Sequence, residues 1–161
     1  MTEQLWAPWR VEYIQAKKPE GCILCEKPKE ECDEANYLLF RGKYNYIIMN
    51  SFPYNPGHLM VAPYRHTATP EDLTTEELHE HTELLCRCLK LLREIYNPNW
   101  FNTGMNIGKI AGAGIDGHIH THIVPRWQGD TNFMSILGET RVLPEALEST
   151  YQRVKNGFLE G

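Results

Sequence analysis

Three of the seven histidines fall within five residues, in the run His118-Ile119-His120-Thr121-His122-Ile123-Val124. Side chains of an extended strand alternate between its two faces. A strand here would therefore line up three imidazoles on one face, with Ile119, Thr121 and Ile123 on the other. Neutral imidazole is both a nitrogen nucleophile and a metal ligand, and an ordinary pKa of about 6.5 leaves it mostly unprotonated at neutral pH. Three readings follow: a solvated polar face, a metal site made from alternate strand residues, and nucleophilic chemistry in a cleft. Strict alternation between a glycine-rich loop and Pro125 favours the chemical readings over plain solvation. A second constellation, Cys22-x-x-Cys25, has the spacing of a zinc half-site or a redox pair. No βαβ pattern follows it, which removes the usual support for the redox option.

The histidines need elements to hold them. Tyr37 to Phe40 and Lys43 to Asn50 read as two strands turned at Gly42. Asn55-Pro56-Gly57 is a turn signal, followed by the apolar run His58 to Ala62, which Pro63 ends and which reads as a third strand. Thr74-Thr75-Glu76-Glu77 has capping-box spacing, and Leu78, Leu85, Cys88, Leu92 and Ile95 recur at helical intervals until Asn97-Pro98. Phe101 to Gly108 and Ile119 to Val124 read as two more strands, joined by the loop Lys109 to Gly117. Pro144 to Asn156 reads as a last helix, with Gly157 just past its end. This order predicts an α+β fold: an antiparallel sheet of about five strands, one long helix and a C-terminal helix. His79 and His81, early in the long helix, read as surface residues. Cys88 reads as helix core, and Cys32 and Cys86 as ordinary thiols.

The run from His118 to Val124 resembles the signature of the histidine triad (HIT) superfamily of nucleotidyl hydrolases and transferases, with Thr121 polar where relatives are usually apolar. Pro56-Gly57-His58, Val61-Ala62-Pro63, Arg65-His66, Asn106-x-Gly108 and Pro125-Arg126 are similar to further landmarks of that family, in its order. The likeness runs from about Leu5 to about Phe158. Leu5-Trp6-Ala7-Pro8-Trp9-Arg10 and Trp127-x-Gly129-Asp130-x-Asn132-Phe133 resemble a bacterial branch related to diadenosine polyphosphate phosphorylases.

The resemblance implies a HIT-like fold and attack by the middle histidine, His120, on the α-phosphorus of a nucleotide. A covalent nucleotidyl-histidine forms and a second acceptor, phosphate or water, resolves it. It implies that His122 and His58 handle phosphate, that Asn50 holds the ribose hydroxyls and that Asn106 lies near the phosphates. Ala113-Gly114-Ile115 stands where some relatives carry a Ser or Gln, so a phosphate contact at Gly114 would come from its backbone. Zinc-bearing relatives bind through the CxxC pair, a histidine after the second core strand and the first triad histidine. The matching residues are Cys22, Cys25, His66 and His118, a set suited to a closed tetrahedral site. The branch implies a dinucleoside polyphosphate substrate and favours phosphorolysis over hydrolysis to a monophosphate. A homodimer through the long helix and a strand is implied as well.

The chain has 161 residues, enough for one domain with its own core, and we read it as one, with residues 1 to 21 as an arm carrying Trp6, Trp9 and Tyr13. Its 16 Lys and Arg against 21 Asp and Glu give a net charge of −5, which argues against nucleic acid as partner. No run of 18 apolar residues and no apolar leader is present, so a cytoplasmic protein without a membrane partner is expected.

Overall fold

The computed structural model describes residues 21 to 130 and 145 to 160. The aromatic arm, the Asn132-Phe133 end of the branch motif and the proline start of the last helix lie outside those residues. Within them, five strands form one antiparallel sheet: β1 (Leu38–Arg41), β2 (Asn45–Met49), β3 (Leu59–Pro63), β4 (Trp100–Met105) and β5 (Thr121–Arg126). Their spatial order is β1-β2-β3-β5-β4. A short helix α1 (Ile23–Glu26) precedes the sheet, α2 (Thr75–Tyr96) joins β3 to β4, and α3 (Leu147–Glu160) closes the chain.

The two faces of the sheet are covered differently. On one, Ile47, Met49, Leu59, Val61 and Ile123 pack on Leu84, Cys88 and Leu92 of α2 and on Tyr151, Val154 and Phe158 of α3. On the other, Tyr46, Ile48, Met60 and Ala62 pack on Leu24 of α1. Burial on both sides explains why β2 and β3 have no polar face.

Helix α2 begins as its sequence predicts. The Thr74 hydroxyl accepts from the Glu77 amide, and the Glu77 carboxylate accepts from the Thr74 amide at 2.7 Å. It ends at Asn97, which adopts φ 44°. One turn further in, the Glu80 carboxylate accepts from the amides of Lys43, Tyr44 and Asn45, each at 2.7 Å. Burial pushes that carboxyl up, but these amides and the Asn45 side chain outweigh it and hold it below its ordinary range. The β1–β2 turn thus wraps a side chain of α2. Gly42 lets it do so, since a Cβ there would stand 2.7 Å from the Asn45 carbonyl oxygen and 2.9 Å from Glu80 Oε1.

Strand β2 is shorter than the expected Lys43 to Asn50 and β4 ends at Met105, short of the expected Gly108, and two further elements depart from the sequence expectation. The last helix runs through Gly157 to Glu160. Gly157 is a contact point between helices, because a Cβ would lie 2.5 Å from Leu91 Cδ1 and 3.0 Å from Ile95 Cδ1. The triad strand starts at Thr121 and continues past Pro125 to Arg126. Pro125 fits because β3 pairs only as far as Ile123, so at Pro125 the strand has β4 alone as neighbour. Before Thr121 the chain has left the ladder, and the Ile119 amide donates to the Thr67 carbonyl at 2.7 Å. No helix among the described residues is long and apolar enough to cross a membrane.

Candidate active site

The three triad histidines do not share one task. His118 turns towards the start of the chain, with Nδ1 3.3 Å from Cys22 Sγ and 3.4 Å from Cys25 Sγ. Its Nε2 faces the Pro63 carbonyl at 2.8 Å, and a carbonyl can only accept, so Nε2 carries the proton and Nδ1 the lone pair. Burial pushes this imidazole below its ordinary value. His66 completes the group, its Nδ1 3.3 Å from Cys25 Sγ. The ligand atoms of Cys22, Cys25, His66 and His118 all lie within 4.8 Å of one another and could hold a metal ion. Among the described residues no other such cluster occurs. Sulfur and nitrogen ligands on one tetrahedral zinc stand roughly 3.5 Å apart, which follows from bond lengths of about 2.3 and 2.05 Å. The donor set and spacing fit zinc, and the His118 Nε2–H to carbonyl bond supplies the orientation that metal-bound imidazoles generally have.

His120 lies one residue before β5 and is nearly buried. Its Nδ1 donates to the His118 carbonyl at 2.9 Å, so Nε2 is left with the lone pair. The His122 ring stands 4.8 Å from the His120 ring, at 69° to it. His122 is paired across the sheet with Met60 on one side and Gly104 on the other, and Gly104 leaves the neighbouring strand open beside it.

Behind His122 stands His58, fully buried. The Tyr54 amide donates to His58 Nδ1 at 3.1 Å, and the Asn50 side-chain amide lies 3.4 Å from the same atom. An acceptor at Nδ1 places the His58 proton on Nε2, which donates to His122 Nδ1 at 3.0 Å. His122 is then neutral with its own proton on Nε2. Burial, then the neighbouring His120, pushes its pKa down to about 4.

A cleft of about 370 Å³ opens over β4 and β5. Its lining includes His122, Gly104, Asn106, Tyr54, Asn102 and Arg126. His122, Val124 and Arg126 line it as alternate residues of β5. Arg126 is held by Asp130, with Nε 2.6 Å from Oδ2 and Nη2 2.8 Å from Oδ1. Asp130 also accepts from Asn55 in the turn before His58, at 2.9 Å. Of the residues named from sequence, Asn50, His58 and His122 are joined by hydrogen bonds, His120 adjoins them through its ring contact with His122, and Asn106 lines the cleft. Asn50 faces inward, towards His58 and the Phe52 amide. Gly114 is exposed in the loop, apart from the cleft lining.

Sequence reasoning missed Tyr54, Asn102 and the Arg126–Asp130 pair as walls of this site. Arg126 was visible as a landmark, but its partner could not be found without the turn at Trp127. His81 is a correction. It is buried at 4% exposure, with Nδ1 2.9 Å from Asn45 Oδ1 and Nε2 2.7 Å from Thr121 Oγ1.

A family model for the HIT domain matches residues 33–129. Across 92% of its length the chain is 37% identical to the AP-4-A phosphorylase of Mycobacterium tuberculosis, covering 80% of that protein. Solved structures with the same fold include a Zn-bound histidine triad family protein from Mycobacterium smegmatis, at TM-score 0.69 and 24% identity over 87% of this chain and 94% of that one. The diadenosine triphosphate hydrolase of Plasmodium falciparum, solved with cyclomarin A, aligns at TM-score 0.61 and 25% identity over 78% of each chain. With the family model spanning every strand of the described sheet and 37% identity across 92% of its length to a curated relative, the chain belongs to the HIT-domain family.

Proposed function

We propose that this protein is a nucleotidyltransferase that cleaves dinucleoside polyphosphates of the diadenosine tetraphosphate type at an α-phosphate, through a nucleotidyl group on His120. The observation that carries this reading is the pair of tautomers. His120 keeps a lone pair on Nε2 because Nδ1 is committed to the His118 carbonyl, while His122 presents an Nε2–H because Nδ1 accepts from His58. One ring attacks and the next donates. The Nε2 lone pair of His120 forms a bond to the α-phosphorus as the bond to the bridging oxygen breaks. The leaving nucleotide departs with that electron pair. Positive charge growing on the His120 ring is met by the His118 carbonyl at Nδ1. Negative charge growing on phosphate oxygens is met by the His122 Nε2–H. An oxygen of inorganic phosphate then attacks the same phosphorus, the P–N bond breaks, and its electrons return to Nε2.

His58 and Asn50 act here through His122. His58 has no exposed surface with which to touch a substrate, and Asn50 spends its side chain on His58 and on the Phe52 amide. Asn106 and the backbone of the Gly114 loop remain the phosphate-side groups. Zinc fills the Cys22, Cys25, His66 and His118 cluster and fastens α1 to the residues just before His120, supplying structure and no chemistry. A second copy of the chain docks along α2 and β4. Strand β4 ends the described sheet and carries Trp100 at 77% exposure. The likeness to the Mycobacterium tuberculosis AP-4-A phosphorylase supports phosphate as the acceptor.

Incubation with diadenosine tetraphosphate, with and without inorganic phosphate, tests the reading. Phosphate-dependent release of ADP and ATP is expected. Phosphate-independent AMP and ATP would make water the acceptor, and no product at all would exclude the substrate class. His120→Ala should abolish turnover while leaving the metal content of the purified protein unchanged.

A further inference from the structure

His81 is a buried titratable group that the reaction above does not use. Its proton is assigned by its partners. The Asn45 side-chain nitrogen donates to the Glu77 carbonyl at 3.0 Å and lies 3.2 Å from Glu80 Oε2, so the Asn45 oxygen is the atom turned towards His81. That oxygen accepts from Nδ1, and Nε2 accepts from the Thr121 hydroxyl. Burial pushes the imidazole down to about 4, so it stays neutral at ordinary pH.

Thr121 occupies a particular place in the chain. It is the first residue of β5, paired with Val61 on one side and Met105 on the other. His120 lies just outside the ladder, so no strand partner sets its position. On its upstream side His118 is held by Pro63 and the cysteines. On its downstream side the next fixed point is Thr121, whose side chain points to the opposite face of the sheet and meets His81. The helix that carries His81 is itself latched to the β1–β2 turn through Glu80.

We infer that His81 is a positioning residue for the transfer reaction: by fixing Thr121 from the far face of the sheet, it sets where His120 and His122 stand relative to each other. The kinetic consequence rests on the proposed transfer at His120, whereas the consequence for ring geometry does not. A displacement of about 1 Å in a reacting group can cost on the order of a hundredfold in rate while barely touching substrate affinity.

Thr121→Val removes the hydroxyl at nearly constant shape, His81→Leu removes the imidazole, and His81→Gln keeps one donor and one acceptor. The first two are expected to lower kcat roughly tenfold or more with KM within about twofold, and His81→Gln to retain most of the rate. Nitrogen-15 spectra of the imidazole rings give a second readout that needs no turnover. The wild type should show His120 as a single Nδ1–H tautomer, and Thr121→Val should move its signals towards a mixture. If Thr121→Val does not fold, His81→Leu is read the same way. Unchanged His120 signals in the variant overturn the proposal, whether kcat falls or not, and so does a wild-type kcat with altered signals. If the wild type turns over no dinucleoside polyphosphate, the transfer reading fails, and the ring spectra alone decide the positioning role.

Discussion

At the scale of single residues, burial keeps His81 and His122 neutral, and the hydrogen-bond partners of each imidazole decide which nitrogen carries the proton. His81 and His122 both have folded pKa values of about 4 against 6.5 for a free side chain. Between those values the unfolded chain binds protons that the folded chain does not, so stability rises with pH across that window. The stabilising contribution is complete above about pH 6.5 and is lost as the pH falls towards 4. The thermal midpoint should fall over that range, and His81→Gln, which removes one of the two groups, should show a shallower fall. Equal slopes for the two proteins would contradict the assignment of His81. Both of these residues also mark what a sequence can and cannot disclose. His122 was legible because period-two spacing survives in any strand. His81 was not, because its burial depends on Asn45 and Thr121, which are 36 and 40 residues away.

At the scale of elements, the helices and strands carry these residues into place through a few local fittings. The capping box and the Asn97 stop follow from neighbours in sequence, and the structure has them where the sequence predicts. The ends of β5 and α3 do not follow, since each is decided by a distant partner: the short β3 ladder in one case, Leu91 and Ile95 in the other. Glu80 belongs to this second kind. Glu80→Ala would leave three amides of the β1–β2 turn without their acceptor and is expected to cost about 2 kcal/mol, read from denaturant midpoints. Gly157→Val would force a branched side chain between α3 and α2, against the Cδ1 atoms of Leu91 and Ile95, which must shift to admit it. A loss of about 2 kcal/mol is expected there, with little change in the cleft. A stabilised Gly157→Val would show that the two helices can separate without cost.

At the scale of the whole molecule, the two faces of the sheet divide the labour. One is an apolar core under α2 and α3, and the other bears the cleft and the cysteine–histidine cluster. His122 lies on the second face, whereas His81 reaches Thr121 of the same strand from the first. A net charge of −5 does not describe this cleft, whose lining includes His122 and the cation Arg126. The cluster also has a bearing on the order of events in folding. Cys22 and His118 are 96 residues apart, so their meeting must await the last strand of the sheet. For a metal bound by all four residues, we therefore expect the full coordination sphere to close only after the folding barrier has been crossed. Added zinc should therefore slow unfolding and leave the refolding rate nearly unchanged in stopped-flow traces, whereas faster refolding would mean that the cluster assembles first. The metal would then act as a clasp on the finished fold, setting how long each molecule stays closed.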